Sequence, residues 1–183
     1  APSMESLLAL AEGVPAGSDR LLFAPWLNGE RSPVDDHLVR GSFFNQSLRT
    51  TRSHMVRAVL EGVAYNTRWL LEGVEKFVGR ALGPIAAVGG GAESALWCQI
   101  LADVLARPIK QVEEPLLANV RGAGLIGSAA MGYVTFDEVG ALVPVARVFE
   151  PAPANRAIYD RMYGEFRRLY AASKDVGARL NRV

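Results

Sequence analysis

The sequence predicts an α/β fold, and three observations carry that prediction. A short apolar run, Pro84 to Val88, passes directly into a glycine-rich turn and then a segment of helical period. A second run, Ile109 to Val112, follows that helix and precedes another, so strand and helix alternate. The longer segments place apolar residues at i, i+3, i+4 and i+7, the period of helices with one covered face.

The elements follow in order. Pro2 and Ser3 before Met4, Leu7, Leu8 and Leu10 predict a short helix capped by Ser3 and ended near Gly13. Leu21 to Phe23 reads as a short apolar strand. Pro25 to Asn45 holds Pro25, Gly29, Pro33 and Gly41 and reads as mostly loop, anchored by Trp26-Leu27 and Phe43-Phe44. The strongest periodicity runs through Val56, Val59, Leu60, Val63, Thr67, Leu70, Leu71, Val74, Phe77 and Val78. With Thr51 or Ser53 as N-cap and Gly79 as C-cap, it predicts one helix of about 27 residues, roughly 40 Å long. Val59, Leu60, Val63 and Leu70 are expected to face the core, with Arg57 and Glu61 facing outward or meeting as an ion pair. Ile85 to Val88 is expected to be a buried strand. The helix after the glycine turn carries Leu96, Trp97, Ile100, Leu101, Val104 and Leu105 on one face and is expected to stop at Pro108. A small-residue helix spans about Ala123 to Met131. Pro151 and Pro153 introduce a last helix with Tyr159, Met162, Tyr163, Phe166, Leu169 and Tyr170 on one face.

Composition limits the function. The chain has 183 residues, half of them apolar, enough for one domain with a sizeable core. Twenty basic residues against 19 acidic ones leave a net charge of +1, with no electrostatic footprint for nucleic acid. One cysteine, Cys98, excludes an internal disulfide framework and a cysteine-based zinc site. No apolar run approaches 18 residues, so no helix is expected to span a membrane. Ala1 to Leu10 carry Glu5 and no basic segment, which does not read as a signal peptide. These features describe a cytoplasmic globular domain.

Several constellations could carry chemistry. Gly89-Gly90-Gly91-Ala92-Glu93-Ser94 lies between a strand and a helix, where glycines allow a flat or charged ligand close to the backbone. The helix start beyond it offers N–H groups to an anion. The alternative is a plain tight turn. Gly122, Gly124 and Gly127 match G-x-G-x-x-G, but the residues before them do not read as the strand that a dinucleotide site requires. A helix whose small face packs on a neighbour is the preferred reading there. Gly29 to Pro33 is a charged turn, in which Glu30 and Arg31 either contact a ligand or anchor the loop. Ser94 is not in a G-x-S-x-G elbow, which speaks against a serine hydrolase. His37 and His54 lack metal-ligand spacing and read as surface or capping residues. Cys98 reads as inert packing and the tyrosines as core.

Six segments in this order resemble a known family. They are Phe23 to Pro33, Arg40 to Phe44, Arg57 to Tyr65, Gly89 to Ser94, Trp97 to Asp103, and Gly122 to Met131. Their order and spacing resemble the C-terminal domain of FGGY carbohydrate kinases, closest to xylulokinases, over about residues 3–172. The resemblance implies that residues 1–183 are part of a ribonuclease H-like, actin-like ATPase domain, helix-rich and incomplete at its N-terminal side. It implies ATP with Mg²⁺ held at the phosphates, and a sugar bound mainly by a separate N-terminal domain that also supplies the catalytic base. Gly89, Gly90, Gly91, Ala92 and Ser94 would then form the cofactor site, with Gly90, Gly91 and Ala92 packed against adenosine or the α-phosphate and Ser94 near the adenine. No residue of this chain resembles the catalytic Asp or a metal ligand. The acceptor implied is D-xylulose or a related pentulose, and the resemblance leaves room for a homodimer. The alternative is a kinase-derived domain that binds nucleotide or a partner without chemistry.

Overall fold

The computed structural model describes residues 3–182; Pro2, read above as part of the first helix start, lies outside them. Helix α1 (Met4–Glu12) begins at Ser3, whose hydroxyl accepts the Ser6 N–H, and stops at Gly13. A short turn, Ser18–Arg20, leads into strand β1 (Leu22–Ala24), which is buried throughout. The end of the segment read as loop is instead strand β2 (Ser42–Phe44), antiparallel to β1. Each apolar pair of that segment anchors through one member only. Trp26 is fully buried while Leu27 is exposed, and Phe43 stacks on Phe23 at 4.8 Å while Phe44 is exposed. Alternation along extended backbone turns successive side chains to opposite faces.

Helix α2 (Arg52–Val78) has the expected 27 residues. His54 closes its start by accepting the Thr51 N–H at 3.2 Å, and Gly79 ends it with φ 72°. Its buried arc differs from the predicted stripe. Leu60 is buried, Val59 and Val63 are half-buried, and Leu70, Val74, Phe77 and Val78 are exposed. The buried residues are instead Arg57, Ala58, Leu60, Glu61, Gly62, Ala64 and Tyr65. The N-terminal half of α2 contacts α1, β1, α3 and α6, so the cover extends beyond one stripe.

Strand β3 (Ile85–Ala87) is parallel to β4 (Ile109–Val112), and helix α3 (Ala95–Leu105) connects them. Strand β3 lies at the sheet edge and is only half-buried, a correction to the buried strand expected. Helix α3 ends at Ala106, in the left-handed region at φ 51°, two residues before Pro108. Helix α4 (Ala118–Ala130) starts earlier than expected and has no buried residue. A Cβ at Gly122, Gly124 or Gly127 would meet nothing within 4 Å, so the small face does not pack on a neighbour among the described residues. The three glycines lie inside a helix, not at a strand-to-helix turn, which removes the dinucleotide reading. After α5 (Phe136–Val139), strand β5 (Val145–Phe149) pairs antiparallel with β4, giving the order β3-β4-β5. Helix α6 (Arg156–Asn181) buries Tyr159, Met162, Tyr163 and Phe166 as predicted. Asp103 of α3 fixes its approach, accepting the Ala152 N–H at 2.8 Å and the Asn155 amide at 2.7 Å.

One polar knot sits among these apolar contacts. The Arg57 and Glu61 side chains meet at 2.9 Å as the predicted ion pair, but both are buried. Glu61, fully buried, also accepts the Gly17 N–H at 3.0 Å, the Ser18 hydroxyl at 2.7 Å and the Tyr159 hydroxyl at 3.0 Å. Arg57 donates to the Tyr159 oxygen at 3.0 Å and to the Ala11 carbonyl at 3.4 Å. Burial opposes the Arg57 charge, but the bonds to Glu61 and Tyr159 more than offset it, and the net pKa shift is upward. Burial first, and then the Glu61 charge, drive the Tyr159 hydroxyl upward as well.

The uneven burial of α2 is testable. Leu60→Ala should cost about 2–5 kcal/mol in urea unfolding, the range for buried leucines. Leu70→Ala, on the exposed half, should cost under about 1 kcal/mol. Equal costs at the two positions would show that the two halves of α2 are covered alike.

Candidate nucleotide site at the glycine turn

The glycine turn is built by three different constraints. Gly89 adopts φ 81° and ψ −177°, backbone that a side chain strongly disfavours, and its N–H donates to the Pro115 carbonyl at 2.8 Å. At Gly91 a Cβ would lie 2.7 Å from the Trp97 ring. At Gly90 a Cβ would meet only a Leu116 methyl at 3.7 Å, an ordinary contact. Gly90 is therefore the glycine that the fold itself does not require. The turn Gly90–Glu93 then leads to Ser94, which caps α3 by accepting the Trp97 N–H at 3.2 Å. Ala92 is buried, and its carbonyl accepts from the Gln111 amide and, at 3.5 Å, from the Cys98 thiol.

The turn forms a wall between two grooves. Gly90 and Ser94 border one of about 550 Å³, together with Met4 and Leu8 of α1 and Leu96 of α3. Glu5, Glu12 and Glu93 also line it, and among the described residues no basic side chain does. Its apolar sides and bare backbone suit a flat purine, while its carboxylates oppose phosphates. Gly91 and Ala92 border the other groove, of about 420 Å³, with Val63, Thr67, Val88 and Trp97. Gly89 lines neither. The five residues singled out in the sequence thus stay together along the chain but divide between two faces.

Trp97 was not singled out for this role. Its ring occupies the space that Gly91 leaves, and its indole N–H donates to the Leu60 carbonyl at 3.3 Å, tying the turn to α2. A tryptophan six residues after a glycine run is the signal that could have indicated it.

The remaining candidates serve the fold. Glu30 accepts the N–H groups of Arg31 and Ser32 at 2.9 and 3.2 Å and the Asn66 amide at 2.8 Å, so the charged turn anchors itself. Arg31 is exposed. His37 pairs with Asp35 at the surface and His54 caps α2, as read. Cys98 is buried, and burial pushes its thiol pKa up, away from a nucleophile's range. Among the described residues no three His, Cys, Asp or Glu side chains form a metal-binding group, and no helix is long and apolar enough to cross a membrane.

Comparison with known proteins places this geometry. Residues 1–131 match the C-terminal domain of the FGGY family of carbohydrate kinases. The xylulose kinase of Staphylococcus epidermidis is 33% identical over 180 residues, covering 97% of this chain and 36% of the relative. The gluconokinase of Bacillus subtilis is 36% identical over 138 residues, covering 75% of this chain and 27% of the relative. The crystal structure of xylulose kinase from Rhodospirillum rubrum superimposes with a TM-score of 0.81 at 37% identity, covering 94% of this chain and 34% of that one. Gluconate kinase from Lactobacillus acidophilus gives a TM-score of 0.86 at 27% identity, covering 97% of this chain and 36% of that one. The chain thus spans about a third of the length of these relatives. With an actin-like, ribonuclease H-like architecture and a match over most of its length, it belongs to the FGGY family of carbohydrate kinases, whose C-terminal domain its residues 1–131 match.

Proposed function

We propose that the groove bordered by Gly90 and Ser94 holds the adenosine of ATP in a kinase that transfers the γ-phosphoryl group to a sugar hydroxyl. The observation that carries this reading is Gly90 itself. The fold leaves its Cβ position open, so the bare backbone there is available to a ligand. Met4, Leu8 and Leu96 offer apolar contact to a purine, and Glu5, Glu12 and Glu93 direct the phosphates away from this groove. Mg²⁺ would travel with the phosphates and would neutralise charge as the phosphoryl group moves. D-Xylulose or a related pentulose is the proposed acceptor, because relatives called xylulose kinase match nearly the whole chain at up to 37% identity. Gluconokinases also match, over 75% and 91% of this chain, and glycerol kinase over 79%, and these give the competing acceptors. Asp103, the one buried aspartate among the described residues, is held by its bonds to Gln99, Ala152 and Asn155. A general base for the sugar is therefore sought outside this chain.

A coupled ADP-release assay of the full-length protein against ketoses, aldoses and polyols tests the acceptor. A pentulose should give the highest kcat/KM; preference for gluconate or glycerol would contradict the proposal. Gly90→Val should raise the ATP KM at least about tenfold, equivalent to ~1.4 kcal/mol of binding, with the sugar KM changed much less. Gly91→Val is a poorer probe, because it strikes the Trp97 ring and should lower stability whether or not nucleotide binds. An unchanged ATP KM in Gly90→Val would place adenosine elsewhere.

The isolated chain should not phosphorylate sugars. In-line transfer needs a positioned acceptor and a base, and loss of positioning alone forfeits about 7–11 kcal/mol of barrier reduction. Calorimetry should give an ATP Kd of about 1 mM or weaker. Sugar-dependent ADP release near 10 s⁻¹, an ordinary enzymatic rate, would show that the active site lies within this chain.

A further inference from the structure

A third cavity, which shares no residue with the grooves at the glycine turn, lies between the β1–β2 hairpin and the middle of α6. Its volume is about 330 Å³, within the range of small-ligand sites. Leu22, Met162 and Leu169 make its apolar floor, and the exposed Phe44 ring makes one wall. Arg20, Arg161 and Arg168 stand at its rim. Arg168 is neutralised by Glu165 at 2.7 Å. Among the described residues, neither Arg20 nor Arg161 has a carboxylate within ion-pair distance. The cavity therefore combines an apolar floor with two uncompensated guanidinium groups.

The backbone that shapes this rim is held in an unfavourable state. Among the described residues six non-glycine residues adopt left-handed φ, and four of them cluster here: Ser18 at 48°, Asp19 at 49°, Arg20 at 67° and Asn45 at 69°. Arg20 and Asn45 line the cavity, and Ser18 and Asp19 lead into it. Left-handed backbone is tolerated by Asp19 and Asn45 but is unfavourable for Ser18 and Arg20, where it persists because surrounding bonds impose it. Here Glu61 holds Gly17 and Ser18, and the Asn45 amide holds the Arg20 carbonyl at 3.1 Å. The result of that constraint is an arginine whose backbone is held at the mouth of an apolar pocket and whose side chain is exposed there.

We propose that this cavity binds a small organic anion with an apolar body. A carboxylate or phosphate head meets Arg20 and Arg161, groups suited to bidentate recognition of either. A flat or branched hydrocarbon part covers Leu22, Phe44 and Met162. The cavity shares no lining residue with the groove proposed for adenosine.

Calorimetry on the full-length protein with phenylbutyrate, phenyl phosphate and the neutral phenylbutanamide tests this. At least one of the two anions should bind saturably, and phenylbutanamide should bind at least about tenfold more weakly, the effect of a lost charge-assisted contact. A preference for phenylbutyrate or for phenyl phosphate identifies the head group. Two sets of variants separate the site from unspecific binding. Arg20→Gln combined with Arg161→Gln should weaken the anion at least about tenfold. Ala172→Trp, which fills the cavity, should abolish binding while leaving the ATP KM unchanged. Both should be checked for an unchanged circular dichroism spectrum. Absence of saturation up to about 10 mM, equal binding of the anions and the amide, or unaltered binding in either variant would overturn the proposal.

Discussion

The buried Glu61 carboxylate is the constraint on which most of this structure depends. It sits on α2, bonds to Arg57 one turn earlier, reaches Tyr159 on α6, and holds the Gly17–Ser18 backbone that feeds β1. Through Arg57 the same knot reaches the Ala11 carbonyl near the end of α1. Four elements distant in sequence are thereby fixed to a single side chain. A buried ion pair adds little net stability compared with apolar residues of the same shape, because desolvation offsets the attraction. Its effect here is geometric. Each oxygen of Glu61 has a partner, so displacement of α6 or the Gly17 turn leaves this buried carboxylate short of hydrogen bonds, and displacement of α1 does the same to Arg57.

The groove proposed for adenosine inherits that geometry. One of its walls is α1, which the knot fixes through Ala11, and the other is the glycine turn, which Trp97 fixes to α2 through the Leu60 carbonyl. Both walls therefore refer back to the first half of α2, the part buried on several sides. Trp97 also explains why Gly91 is glycine, so a glycine run read as a single ligand cradle divides into backbone geometry at Gly89, packing at Gly91 and open access at Gly90. Under the proposed function, the carboxylates beside Gly90 would face the uncharged end of the nucleotide, with the phosphates held by other parts of the protein.

Much of the fold was legible in the sequence where local signals and tertiary packing agree. Helix α2 had caps at both ends and an unbroken period, and its limits follow from Thr51 and Gly79. Helix α6 buries the aromatic face that its spacing indicates. The errors have physical causes. The period of α2 could not show that Arg57 and Glu61 lie inside, because their burial depends on partners some 40 and 100 residues away. Strand β2 was hidden in a glycine- and proline-rich segment, and β5 carries exposed valines that no buried-strand pattern reveals. The small residues of α4 suggested close packing, yet the helix is open on the described surface, together with Leu116, Val120 and Ile126. At the site, the turn was legible as a backbone feature. The division of labour among its glycines was not, because it depends on where the Trp97 ring lies.

The most direct test of this account is the urea unfolding of Glu61→Gln compared with that of Arg57→Met combined with Glu61→Leu. Removing the charge of Glu61 alone leaves Arg57 buried without its counter-ion and should cost about 3–5 kcal/mol. Replacing both charges with apolar groups should recover most of that loss in stability. It should also release the Gly17 amide to hydrogen exchange, since that N–H loses its Glu61 acceptor. A cost below about 0.5 kcal/mol for Glu61→Gln, or unchanged protection of the Gly17 turn in the double variant, would contradict the view that this carboxylate organises the fold.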